Sequence, residues 1–168
     1  ISSSPARRCR MFRFLTRATD PSDLLTSRLY DQDSFYPAFH RDLSGAVSEV
    51  IIESPFISHK RMNALYPSFR AMAKRGVVIV VNTKHPAEHD PDYRPQAARA
   101  IAEMQDLGVQ VLFTGGHHRK LAIIDRQILY EGSLNILSQG DSCEIMRRIT
   151  SSVLVEQMIR FVNIERFL

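Results

Sequence analysis

Between residues 118 and 135 the chain reads HRKLAIIDRQILYEGSLN, and this stretch holds the side chains best suited to chemistry. One residue separates His118 from Lys120, Asp125 follows after four more, and Gly132-Ser133-x-Asn135 follows after a further six. Residues i and i+2 of a strand share a face, so a strand over 118–124 projects the imidazole of His118 and the ammonium of Lys120 together. Gly132 permits a tight turn, after which Ser133 and Asn135 present short polar side chains. An imidazole able to act as nucleophile or base, one fixed cation and two neutral hydrogen-bonding groups suit a phosphodiester. Such an ester resists attack because its nonbridging oxygens are anionic and alkoxide leaves poorly. A site for it must neutralise charge, supply a nucleophile and protonate the leaving oxygen.

The spacing H-x-K-x4-D-x6-G-S-x-N resembles the HKD signature of the phospholipase D superfamily, with every defining position filled. Several specified residues at fixed spacing are far more specific than a lone glycine-rich loop. The resemblance extends over most of residues 34–160, whose element order is similar to the family's βαβαβ units, motif strand, hairpin-like turn and final strand carrying an acid. No internal repeat is visible, so the chain has one copy of the motif. It is therefore similar to the short, nuclease-like branch in which two copies meet across a homodimer. The resemblance implies that one His118 attacks phosphorus to give a phosphohistidine while the other protonates the leaving oxygen, with no metal or other cofactor. Lys120, Asn135 and Ser133 of both subunits would cradle the phosphoryl oxygens. The family's acid fixes the imidazole tautomer, and Glu144 stands at the matching position. Asp125 belongs to the motif and is grouped with the catalytic set. It falls on the strand face opposite His118, so it is expected to brace the turn or the dimer contact. More loosely, SPFIS (54–58) and GSLNILS (132–138) resemble domains appended to helicases or restriction systems, which implies a fused or associated helicase.

The elements that must position these residues follow from hydrophobic patterning. Val50-Ile51-Ile52 reads as a short strand and Val77 to Val81 as a β-branched strand buried on both faces. Val109 to Phe113 reads as a third. Helices are expected near 62–75 and 95–107, stopped by Gly76 and Gly108, with another after Asp31–Ser34 and one from Ser151. Cys143 to Ile149 alternates like a half-buried strand. Strands alternating with helices predict an α/β fold with a mixed, largely parallel β-sheet flanked by helices. Ligands gather at the carboxyl ends of strands in such sheets, which makes Ser54 and Phe56 rim residues and Ser54 a phosphate contact. Arg119 is read as a contact to nucleic-acid backbone, with a solvated or sheet-edge placement as the alternative. His117 lacks a lysine two positions on, points to the other strand face, and reads as a rim or surface residue. His59, Lys60 and Arg61 read as a polar loop. His85, His89 and Asp90 lie in a segment (83–95) broken by three prolines, poor geometry for a metal, and read as surface loop.

The 168 residues suffice for one domain with a core, and 44% hydrophobic and 24% charged residues are those of a soluble globular chain. Residues 1–30 read as an N-terminal arm or linker, with Arg7, Arg8 and Arg10 as candidate phosphate contacts, and 31–168 as the phospholipase D-like domain. The chain starts at Ile1 rather than Met and reads as a fragment with a neighbouring domain before it. No apolar run approaches the ~20 residues that span a bilayer, and no signal peptide is visible. Cys9 and Cys143 give no disulfide framework, so a cytoplasmic location without membrane association is expected. A net charge of +4 favours polyanionic partners. A small basic domain with a single motif favours an extended polyanion, hence a metal-independent, low-specificity endonuclease acting on DNA in a homodimeric site formed through the active-site face. Two alternatives stand beside it. A phospholipid hydrolase or transferase is disfavoured by the single motif and the lack of an amphipathic membrane stripe. A non-catalytic nucleic-acid-binding module is disfavoured by the intact His118, Lys120 and Asn135.

Overall fold

A computed structural model describes residues 26–138 and 140–165, so Arg7, Arg8, Arg10 and Cys9 lie outside the described residues. The first element is strand β1 (Arg28–Asp31). Residues 28–30, read from the sequence as part of the arm, thus belong to the sheet, where RLYD is an edge strand disguised by its charges. Helix α1 (Phe35–Gly45), β2 (Glu49–Glu53), α2 (His59–Lys74), β3 (Val78–Thr83), α3 (Arg94–Asp106) and β4 (Gln110–Phe113) follow. The chain ends with β5 (Leu121–Ile124), β6 (Ile128–Gly132), β7 (Ile145–Thr150) and α4 (Ser152–Val162).

The seven strands form one sheet in the order β1-β7-β6-β5-β2-β3-β4. β2, β3 and β4 pair in parallel, and the other four pairings are antiparallel. The expectation of a mixed sheet flanked by helices holds. Five strands run one way, and only β5 and β7 run against them.

β2 reads as an uninterrupted apolar run because both its faces are covered. Val50 and Ile52 join a core with Phe39 and Leu43 of α1, Leu65 and Phe69 of α2 and Met104 of α3. Ile51, between them, joins the opposite core with Val155 and Ile159 of α4, as strand alternation requires. Phe35 and Phe39 stack at 5.0 Å, and each meets Tyr130 edge-on at 5.4 and 5.5 Å. Tyr130 donates a 2.6 Å hydrogen bond to Asp42, which also takes the Arg148 guanidinium at 2.6 Å.

α2 begins earlier than its apolar stripe suggests. Ser58 caps it by accepting the Arg61 N–H, so His59, Lys60 and Arg61 form a first turn instead of a loop. Arg61 lies 3.5 Å from the Tyr36 ring centroid. At the other end Gly76 ends the helix with φ +79, a conformation that favours glycine. β5 starts at Leu121 and not at His118, although the Lys120 carbonyl still accepts the Gly132 N–H at 3.3 Å. β7 likewise starts at Ile145, leaving Glu144 just before it.

Candidate active site

The strand directions decide where the motif lies. β1, β2, β3, β4 and β6 all end at one edge of the sheet, and the two opposed strands, β5 and β7, begin there. His118–Lys120 before β5, Ser133–Asn135 after β6, Glu144 before β7, Ser54 after β2 and Lys84 after β3 thus reach one edge. Asp125 does not. It follows β5 at the far end, with φ 52, where its carboxylate accepts N–H groups from Val47 (3.0 Å), Ser48 (2.8 Å) and Glu49 (3.1 Å) and the Ser48 hydroxyl at 2.9 Å. Burial opposes its ionisation, but these bonds prevail and hold the carboxyl below the usual carboxylate range. Its place among the catalytic residues is therefore corrected: Asp125 braces the β5–β6 turn against the start of β2. A concavity of about 570 Å³ also lies at that far end. Its charges are mutually satisfied, with Arg126 2.6 Å from Glu49 and 3.5 Å from Glu165, so it offers no chemistry.

In the segment His117–Lys120, His117 and Arg119 turn to the buried Glu53. Arg119 forks onto Glu53, with Nη2 2.8 Å from Oε1 and Nε on Oε2. Glu53 is fully buried and also accepts the Asn82 amide at 2.9 Å, while Asn82 accepts the Thr114 hydroxyl at 3.0 Å. The expected nucleic-acid role of Arg119 is corrected accordingly, because its guanidinium neutralises a buried carboxylate. That pairing holds the Arg119 pKa above its ordinary value. His117 points the same way and is 2% exposed, not a rim residue, with neither ring nitrogen hydrogen-bonded. Burial lowers its pKa despite the nearby Glu53 charge, so it sits neutral in the wall.

His118 is exposed and Lys120 half-buried. The Lys120 ammonium donates to the His118 carbonyl at 2.7 Å, fixing one cation against the backbone of the histidine. The motif spacing does not reveal a second cation: Lys84 Nζ lies 3.4 Å from His118 Nε2 and 4.8 Å from the Phe56 ring. Here the ammonium is the donor and the imidazole nitrogen the acceptor. The signal for Lys84 is its position directly after β3, at the ligand-gathering ends of the parallel strands.

On the neighbouring strands, Ser133 donates to Glu144 and accepts the Ile145 N–H at 3.1 Å. Glu144 also takes the Ser142 hydroxyl at 2.8 Å, and its own N–H donates to Gln32 at 3.1 Å. Among the described residues Glu144 hydrogen-bonds no histidine. Within one chain it positions Ser133. Asn135 is half-buried, and its amide oxygen has no hydrogen-bond partner among the described residues. Gly132 serves close approach, because a Cβ there would lie 2.1 Å from the Ile145 carbonyl oxygen. Ser54 is fully buried, donating to the Phe56 carbonyl and accepting the Leu137 N–H, each at 3.1 Å. Its assignment as a phosphate contact is corrected: it ties the 54–58 loop to the segment after Asn135. His89 is 4% exposed, not a surface residue. Among the described residues no group of three or more His, Cys, Asp or Glu side chains is arranged to hold a metal ion. No helix among them is long and apolar enough to cross a membrane.

The fold recurs in known structures. NucT from Helicobacter pylori is similar at TM-score 0.65 and 16% identity, over 80% of this chain and 91% of that one. Nuc from Salmonella typhimurium, a phospholipase D family member, matches at TM-score 0.65 and 16% identity, over 80% and 90%. The phosphatidylserine synthase of Haemophilus influenzae matches at TM-score 0.64 and 13% identity, over 82% of this chain and 38% of its own. At these identities the likeness shows the fold alone. No curated protein matches in sequence. A family model described as cardiolipin synthase, PLD-like domain, does match, and it spans residues 39–164, from α1 through the motif to α4. With the His118, Lys120, Ser133 and Asn135 of its motif at this sheet edge, the chain belongs to the phospholipase D superfamily.

Proposed function

We propose that the protein is a phosphodiesterase of nuclease type that cleaves DNA with His118 as nucleophile, in a site completed by a second copy of the chain. The carrying observation is the solvent-facing imidazole of His118, held at 3.4 Å from Lys84 and beside Lys120. Two ammonium groups neutralise a phosphodiester that nears the ring, and the side-chain N–H groups of Asn135 donate to a phosphoryl oxygen. In the first step a neutral His118 forms an N–P bond as the P–O bond to the leaving group breaks. The departing oxygen takes a proton, and one imidazole cannot attack and donate at once. The His118 of a second copy supplies that proton, becomes neutral, and then accepts one from the water that hydrolyses the phosphohistidine. Products are a phosphomonoester and an alcohol, and the chain's residues return to their starting states. A homodimer through this edge is thus part of the proposal. Net charge of +4 supports a polyanionic substrate. The fold shared with a phosphatidylserine synthase keeps lipid phosphodiesters as the second reading.

Incubation with plasmid DNA, single strands and phospholipid vesicles, each in EDTA, tests the proposal. Expected are DNA cleavage, an acid-labile phosphoprotein absent from His118→Ala, and sedimentation as a dimer. Headgroup release without DNA cleavage supports the lipid reading, DNA binding without cleavage supports a non-catalytic module, and cleavage only with added metal overturns the mechanism.

A further inference from the structure

Next to the His118 edge a recess of about 240 Å³ opens between the 54–58 loop, the 86–93 segment and the start of α3. It is smaller than the ~300–1,000 Å³ of pockets that take drug-sized ligands, so it suits one planar ring system. Phe56 and Tyr93 give it aromatic walls, and Gln96, Asp90 and Ser138 give it polar groups. His89 also lines it, 4% exposed, with an Nε2 that has no hydrogen-bond partner among the described residues. A buried ring nitrogen left unpaired costs stability unless a ligand meets it. None of the lining residues carries a positive charge, and Asp90 carries a negative one. The recess therefore rejects a second phosphate, and its mixed lining does not suit an acyl chain. It suits a neutral, flat, hydrogen-bonding group.

Phe56 connects this recess to the chemistry. Its ring centroid lies 5.6 Å from that of His89, which lines the recess, and 6.3 Å from that of His118. One aromatic ring thus neighbours both the recess and the imidazole, and Lys84 sits over that same ring at 4.8 Å. A phosphate held by Lys84 and His118 places the group attached through its sugar within reach of Tyr93 and His89.

We propose that this recess is a nucleobase subsite, which receives one unpaired base of a single strand whose phosphate lies at His118. The inference rests on the phosphodiesterase reading and sharpens it toward single-stranded nucleic acid. A base in a duplex has its polar edge paired and both faces stacked, so it cannot enter without first being extruded. Base–aromatic stacking carries single-strand recognition elsewhere and changes affinity by roughly 10-fold per base.

The test titrates the whole protein with thymidine 5′-monophosphate and with deoxyribose 5-phosphate by calorimetry. Both present the same phosphate, and only the first has a base. The nucleotide should bind about 10-fold more tightly. Tyr93→Ala should erase that advantage and Tyr93→Phe keep it, while deoxyribose 5-phosphate binds all three proteins alike. Tyr93 is 55% exposed, so its truncation leaves the fold intact. Equal affinity of the two compounds for the wild type, or a nucleotide advantage that survives Tyr93→Ala, overturns the subsite and leaves the phosphodiesterase reading standing. If neither compound binds, the phosphate site itself is wrong and the subsite falls with it.

Discussion

Replacing Arg119 by methionine asks whether that side chain holds substrate or holds the fold. Its guanidinium meets a Glu53 side chain of 0% exposure, with Nη2 at 2.8 Å. Methionine keeps much of the stem but leaves the carboxylate with a single neutral donor, the Asn82 amide at 2.9 Å. Removing one partner of a buried pair costs ~3–5 kcal/mol. The Arg119 side chain is itself 41% exposed, so water screens part of the interaction, which lowers the expected cost to about 2–3 kcal/mol. Adding Glu53→Gln removes the stranded charge and keeps an oxygen for Asn82. The double variant should therefore lie within about 1 kcal/mol of the wild type, a coupling that a double-mutant cycle reads directly. Urea denaturation supplies the stabilities, provided the slope stays constant while the midpoint moves. The same proteins, titrated with DNA at several salt concentrations, separate the two roles. Removing a guanidinium that binds phosphate would flatten the plot of log affinity against log salt by about one unit of slope, and removing a structural one would not. Wild-type stability in Arg119→Met together with a flattened salt slope would refute the assignment made from the structure.

His118→Ala should slow cleavage at least ~1000-fold and leave the unfolding midpoint unmoved, because nucleophile and proton donor vanish together from an exposed position. His117→Ala should show the reverse, with cleavage near the wild-type rate and a destabilisation of about 1–2 kcal/mol from the cavity left in the wall. Asp125→Ala should cost about 2–3 kcal/mol, since three backbone N–H groups are deprived of a charged acceptor and alanine must adopt φ 52; the rate per folded molecule should not change. Stability should fall as pH drops from 7 toward 5. Burial lowers the pKa of His40, His89 and His117, so the unfolded chain binds protons first, from about pH 6.5 downward, at up to ~1.4 kcal/mol per pH unit for each histidine. Urea midpoints that stay flat across that range would contradict the neutral burial of these rings.

Local patterns make the strands and the motif readable. β2 and β3 announce themselves as β-branched runs because each is covered on both faces, and the H-x-K spacing survives even though His118 and Lys120 precede the strand proper. What stays hidden depends on partners distant in sequence. Arg119 resembles a phosphate-binding residue because Glu53, its counter-ion, comes 66 residues earlier. Ser54 resembles a rim hydroxyl because Leu137, which fills its lone pair, lies 83 residues later. β1 escapes notice because an edge strand at a charged margin carries no apolar alternation. The first turn of α2 does so because His59, Lys60 and Arg61 carry no apolar stripe, leaving only the Ser58 cap to mark it. Gly132 is special for a reason other than its turn, since the approach of β7 excludes a Cβ.

The order HHRK divides labour one residue at a time. Side chains of an extended segment alternate in direction, so His117 and Arg119 turn to the buried Glu53, while His118 stands exposed and the half-buried Lys120 reaches back to the His118 backbone. The first pair fixes the backbone, and a fixed backbone aims the second. The Lys120 ammonium then bonds to the His118 carbonyl itself, so the cation and the imidazole cannot drift apart without breaking that bond or the Arg119–Glu53 fork. A shift of one residue would set His118 and Lys120 against Glu53 in place of His117 and Arg119. Lys120 in that place would balance the charge, but only the forked guanidinium can meet both carboxylate oxygens at once. The arginine between His118 and Lys120 thus sets which histidine stands at the open sheet edge. Arg119→Lys should accordingly loosen the segment more than a conserved charge suggests, and would show it as a lower cleavage rate with DNA affinity unchanged.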